Sequence, residues 1–193
     1  MNTSRFRRIP LIIFLTALCS SAAVGIWIFL FGEFGITEVD ILLTTIALTY
    51  YSLAGLSSMA VRKVGKIQTY FSNLCLIFYT LAFIYTVVVI WGFMDTDLLE
   101  VQYILVLKTV AFSLAQISLI LLIQPSKKFI KILKFVTVVF IAVVTTLLSR
   151  FFLNDFEFSK ELTYRLLGVL AIIDVLGTLT TPVLNSWFKR YQK

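Results

Sequence analysis

The chain of 193 residues contains no histidine, two cysteines, three prolines and only 10 acidic against 17 basic side chains. Without an imidazole there can be no Ser-His-Asp triad, no imidazole proton shuttle, no His-ligated haem and few of the usual zinc sites. Cys19 and Cys75 lie in apolar surroundings with no CxxC spacing or Cys/His cluster, and read as small buried residues. No glycine-rich phosphate loop, nucleophile elbow or metal-ligand spacing is present either. No catalytic residue, metal or cofactor is therefore assigned, and an enzyme is not expected. Charge is scarce as well. At 14% charged, 60% hydrophobic and a mean hydropathy of +0.97, the chain has too little polar surface for a water-soluble globule, where about a quarter of residues are charged.

What is present is long apolar segments. Six runs, at about 9–32, 36–61, 67–93, 98–124, 130–152 and 162–187, are each long enough to cross roughly 30 Å of hydrocarbon as a helix. Arg5, Arg7 and Arg8 before the first run imitate a secretory signal, but the run continues to Phe31, too long for one, and is read as a retained helix. Every acidic residue except Asp174 falls in one alternating set of connections: Glu33, Glu38 and Asp40; Asp95, Asp97 and Glu100; Asp155, Glu157 and Glu161. Arg62, Lys63 and Lys66, then Lys127, Lys128, Lys131 and Lys134, then Lys189, Arg190 and Lys193 mark the other set and the C-terminus. Basic residues are retained on the cytoplasmic side, so both termini are expected in the cytosol. The net charge of +7 is dealt out in these short loops, which speaks for topology and against nucleic acid.

The expected fold is all-α: one transmembrane domain of six helices in three hairpins, without a soluble domain, because the connections are short. Trp27, Trp91 and Trp187 stand near span ends, as interfacial anchors do. The stretch from Ser126 to Phe135 interleaves four lysines with apolar residues. It can extend the fifth helix into the headgroup layer, where Lys127, Lys128, Lys131 and Lys134 attract an anionic inner leaflet.

Polar residues within the spans concentrate in the even-numbered helices. The second carries Thr45, Thr49 and Ser52 beside a line through Thr44, Tyr51 and Ser58; the fourth carries Lys108, Thr109, Ser113 and Gln116; the sixth carries Gly168, Ala171, Asp174, Thr178 and Thr181 on one stripe. Many of the hydroxyls are expected to bond back to their own helix. The asymmetry predicts that helices two, four and six share the interior, with three and five turned to lipid. An isolated carboxylate in hydrocarbon costs at least ~2.5 kcal/mol, so Asp174 needs a partner, and Lys108 at comparable counted depth is the expected one. Asp174, Lys108, Gln116, Ser113 and Thr178 are the candidates for a ligand or ion pathway. Gly177 and Pro182 follow Asp174, and the proline leaves the carbonyl of Thr178 without its helical donor.

In the first helix Ala17, Ser21 and Gly25 form a small-xxx-small ladder that permits close helix approach. With six helices in a chain of this size, the ladder is similar to that of the substrate-binding components of energy-coupling vitamin transporters. There a small-residue motif of the first helix docks a transmembrane partner. The resemblance covers topology and implies no ligand-binding residue. Two functions follow as expectations: a non-enzymatic accessory or assembly subunit of a membrane complex, or a carrier or channel for a small solute. Expected partners are membrane lipids and other membrane subunits or further copies of the chain; the expected location is a plasma membrane, bacterial by compactness and lack of organelle targeting.

Overall fold

The computed structural model describes residues 12, 15–16, 18–20, 22–27, 35–62, 65–92, 98–123, 128–154, 165, 167–178 and 180. Among them every regular element is a helix. Four are long: α2, Ile36–Val61; α3, Lys66–Ile90; α4, Leu98–Leu122; and α5, Lys128–Leu153. All four are long and apolar enough to cross a membrane, and two shorter apolar helices accompany them, α1 (Leu18–Trp27) and α6 (Leu167–Thr178). The four long helices coincide with the second to fifth expected spans to within a few residues. Of the first and sixth expected spans, the outer portions, with Thr181, Pro182 and Trp187, lie outside the described residues.

Local chemistry sets the helix ends. Glu38 occupies the first turn of α2, where an acidic group complements the positive end of the helix dipole. Between α2 and α3 the guanidinium of Arg62 donates to Ser72 Oγ at 3.2 Å and to the Asn73 side chain, while the Thr69 hydroxyl donates to the carbonyl of Arg62 at 3.1 Å. This basic turn is therefore tied to the first turns of α3. At the other end of α3, Gly92 takes φ +65°, which reverses the chain in the left-handed conformation that glycine adopts without penalty. That reversal ends the helix at Ile90, three residues short of the expected Phe93. Trp91 caps the same end and its indole N–H donates to Thr44 Oγ1 at 3.1 Å, fastening α3 to the first part of α2.

Helices α2, α3 and α4 pack against one another, and α5 packs against α4. The core of the first three is built of small residues and tyrosines: Ala47, Tyr51 and Ala54 on α2, Cys75, Tyr79 and Ala82 on α3, Ala111 on α4. Small side chains let the backbones approach, and in hydrocarbon this close packing replaces hydrophobic burial as the source of cohesion. The large aliphatics point outward instead. On α3, Leu74 is 65% exposed and Ile77 63%, whereas Cys75 is 0% and Ala82 2%.

This overturns the expectation that the third helix faces lipid. Its buried residues, Ser72, Cys75, Tyr79, Ala82, Thr86 and Val89, recur at three- and four-residue steps and place α3 inside the bundle. A tally of polar residues overlooked this face because half of it is small or apolar. For α5 the expectation matches the structure: only Ile130, Thr137 and Ile141 are buried, while Phe129, Ile132, Phe135, Val139 and Val143 are exposed.

Candidate functional site: two polar seams on the fourth helix

Helix α4 carries small and polar residues on two nearly opposite faces. Ala111 and Ser118, seven residues apart, lie on one; Gln102, Thr109, Ser113 and Gln116 lie on the other. The first face meets α2 and α3, the second α5 and α6. The single polar interior expected of helices two, four and six is thus divided into two seams with α4 between them.

In the first seam Ser58 of α2 bridges both neighbours: its Oγ lies 3.1 Å from the Tyr79 hydroxyl on α3 and 2.9 Å from Ser118 Oγ on α4. Ser58 and Ser118 are both 0% exposed. Nearby, the Tyr51 hydroxyl lies 3.3 Å from Thr86 Oγ1 across α2 and α3, and the Tyr50 hydroxyl donates to the backbone carbonyl of Lys108 at 2.6 Å. Other hydroxyls of α2 bond back to their own helix, Thr45 to the carbonyl of Leu42 and Thr49 to that of Thr45. Three helices are therefore pinned by side chains that have no water to compete for them.

In the second seam Thr145 of α5 donates to Ser113 Oγ of α4 at 2.5 Å. One turn along α4, Gln116 Nε2 donates to Asp174 Oδ2 of α6 at 3.5 Å, and Thr178 Oγ1 stands 3.5 Å from Asp174 Oδ1 while donating to the Asp174 carbonyl at 2.8 Å. Asp174 is 6% exposed and Gln116 9%. Gly177 of α6 lies directly on Thr137 of α5: a Cβ at Gly177 would stand 2.9 Å from Thr137 Oγ1 and 3.0 Å from its Cγ2. Beside this approach an apolar groove of about 250 Å³ is lined by Leu133, Val136, Thr137 and Phe140 of α5 and by Ile173, Leu176, Gly177 and Thr180.

Four of the five pathway candidates, Ser113, Gln116, Asp174 and Thr178, thus lie in one seam. Lys108 does not join them. It stands eight residues before Gln116 on α4, which is about 12 Å along the axis and roughly 80° around it. The expected Lys108–Asp174 contact is replaced by Gln116–Asp174. Depth counted from a helix's own end does not transfer between neighbours, because each helix crosses with its own tilt and offset. Asp174 therefore lies level with the C-terminal half of α4.

The lysine cluster also divides. Lys128 and Lys131 are exposed, and Lys127 lies outside the described residues. Lys134 turns back, donating to the carbonyls of Leu121 and Ile123 at 3.2 and 3.1 Å, where the last turn of α4 leaves acceptors free. Sequence reading gave this lysine to the headgroups because its partner belongs to another helix. Ala17 and Ser21 of the packing ladder, and the acidic pairs Asp95/Asp97 and Asp155/Glu157, lie outside the described residues. Gly25 is described, and among the described residues nothing stands within 4 Å of where its Cβ would be. Among the described residues no group of three or more His, Cys, Asp or Glu converges to hold a metal ion.

Sequence reasoning missed Tyr79, Ser118, Gln102 and Thr145. For Ser118 and Gln102 a signal existed, since each falls seven residues from a small or polar residue of α4. Tyr79 and Thr145 sit on helices otherwise rich in Ile, Leu, Val and Phe and gave none. Compared with known protein families, with curated proteins and with solved structures, the chain finds no match.

Proposed function

We propose that the chain is a multi-pass integral membrane protein of the plasma membrane with six spans and both termini in the cytosol. In this reading it serves as a non-enzymatic accessory or assembly subunit of a membrane complex. Four long apolar helices and large aliphatics turned outward support the membrane setting. The alternation of acidic and basic connections supports the orientation. The observation that carries the assembly role is that buried hydroxyls pair helix to helix, Ser58 with Tyr79 and Ser118 and Ser113 with Thr145, while among the described residues the atoms Gln102 Oε1 and Glu100 Oε2 are buried without a hydrogen-bond partner. Such a bundle holds its own shape and leaves its outer faces for association. On α1, none of the described residues comes within 4 Å of a Cβ at Gly25, where the ladder would receive a partner helix.

A Gly25→Leu variant tests the role. Extraction from native membranes in mild detergent should give a particle well above the 22.0 kDa of the chain; the variant should keep the wild-type helix content and lose that mass. Wild-type chain that runs as a lone monomer would end the assembly reading. Thiol labelling of single cysteines placed at Asp95 and at Lys127 should mark opposite sides of the membrane, and labelling from one side would overturn the orientation.

The carrier reading keeps one specific support, the buried Asp174 carboxylate beside an amide and a hydroxyl. Solute flux in liposomes, compared between wild type and Asp174→Asn, decides it; equal and negligible flux retires it.

A further inference from the structure

We propose that Asp174, Gln116 and Thr178 form a binding site for a small monovalent cation, a proton or an alkali-metal ion, between α4 and α6. The inference goes beyond the assembly role and rests only on the placing of α6 in the membrane. Asp174 is a carboxylate 6% exposed within an apolar bundle. Its side-chain partners among the described residues are both neutral, and each stands 3.5 Å away, Gln116 Nε2 from Oδ2 and Thr178 Oγ1 from Oδ1. A hydrogen bond to an ionised carboxylate normally closes to about 2.7–2.9 Å. Two such gaps around one buried carboxylate describe a charge that this donor set leaves largely uncompensated.

The donor set itself defines the ligand. A carboxylate, a hydroxyl and an amide whose oxygen can be turned inward are hard oxygen donors, suited to a proton or an alkali ion and not to a soft metal. The single negative charge limits the guest to one positive charge. The Thr178 hydroxyl already gives its proton to the Asp174 backbone carbonyl at 2.8 Å, so its lone pairs are what it offers the site.

Among the described residues no charged side chain is hydrogen-bonded to Asp174. On α4, Lys108 lies about 12 Å along the axis from Gln116. On α5, the ammonium of Lys134 is held by the carbonyls of Leu121 and Ile123. Before the start of α6, Arg165 is nine residues from Asp174 and exposed. The polar face of α4 continues from Gln116 through Ser113 and Thr109 to the buried Gln102, offering a guest a line of hydroxyls and amides toward the other end of the helix.

Carbodiimide labelling tests the site, because a hydrophobic carbodiimide adds to protonated carboxyls held in apolar surroundings. The full chain in detergent is treated with dicyclohexylcarbodiimide across a pH series, with and without sodium chloride, potassium chloride or choline chloride, and the modified residue is located by mass spectrometry. Labelling of Asp174 that falls with rising pH and is unaffected by the salts identifies a proton as the guest. Labelling suppressed by sodium or potassium but not by choline identifies an alkali ion. No labelling of Asp174 at any pH, in chain whose other carboxyls are modified on unfolding, overturns the proposal and assigns the carboxylate a fixed cationic partner. Asp174→Asn removes the label and identifies the residue. Gln116→Ala, which spares the carboxylate, should shift the pH or salt midpoint about threefold or more, the effect of removing one neutral polar ligand from the site. An unmoved midpoint in correctly folded Gln116→Ala also overturns the three-residue site.

Discussion

Replacing Gly177 by alanine probes how closely α5 and α6 approach. A Cβ at that position would meet both branches of Thr137, Oγ1 at 2.9 Å and Cγ2 at 3.0 Å. Rotating Thr137 gives little relief, because any staggered position directs one branch or the other toward α6, and the present one is fixed by the hydroxyl's bond to the Leu133 carbonyl at 2.9 Å. Thr137 is itself only 3% exposed. The helices must then separate by roughly half an ångström, an overpacking that typically costs about 1–3 kcal/mol. Against this stands the better helix propensity of alanine, about 1 kcal/mol. Gly177→Ala should therefore be neutral to moderately destabilising alone. Combined with Thr137→Ala, which removes both branches, it should be more stable than the sum of the single changes by about 1–3 kcal/mol. Denaturing-detergent titration in mixed micelles, followed by tryptophan emission, measures all four corners of the cycle. Gly168→Ala on the same helix is the control, since among the described residues nothing lies within 4 Å of its new methyl, and it should be neutral or slightly stabilising. An additive cycle, with Gly177→Ala behaving as Gly168→Ala does, would refute the close approach.

Two further outcomes follow from the seams. Ser58→Ala removes the bridge to Tyr79 and Ser118 and should destabilise by about 1–2 kcal/mol in the same titration. Thr80→Ala, whose exposed hydroxyl bonds only its own helix at the Leu76 carbonyl, should stay within about 0.5 kcal/mol of wild type. Lys134→Met should lower stability by about 1 kcal/mol irrespective of lipid, because it uncaps the last turn of α4. Lys128→Gln and Lys131→Gln should leave stability alone and weaken the preference for anionic vesicles, by about 1 kcal/mol per lysine; matching behaviour of all three would mean that Lys134 also serves the headgroups.

Much of the architecture could be read along the chain. Hydrocarbon demands that every backbone group be satisfied within its own segment, so each long apolar run had to be a helix, and α2 to α5 begin and end within a few residues of where hydropathy and basic clusters put them. At Gly92 the left-handed φ ends α3 three residues before the expected Phe93, a stop that hydropathy does not register. What hydropathy could not carry was rotation and offset. Lipid imposes no strong apolar face on a helix, so the side that turns inward is chosen by small residues and by single hydroxyls whose partners are distant in sequence.

Composition and spacing by themselves determined helices long and apolar enough to cross a membrane, the bounds of the four long ones, and Asp174 as the polar residue most in need of a partner. Tertiary structure alone decided that α3 belongs to the core, that α4 presents two opposite polar faces, that Lys134 caps α4, and that Asp174 meets Gln116 instead of Lys108. The reason is physical: crossing a bilayer fixes how long a segment must be, while its tilt, depth and rotation depend on which neighbour's small residues and hydroxyls it meets.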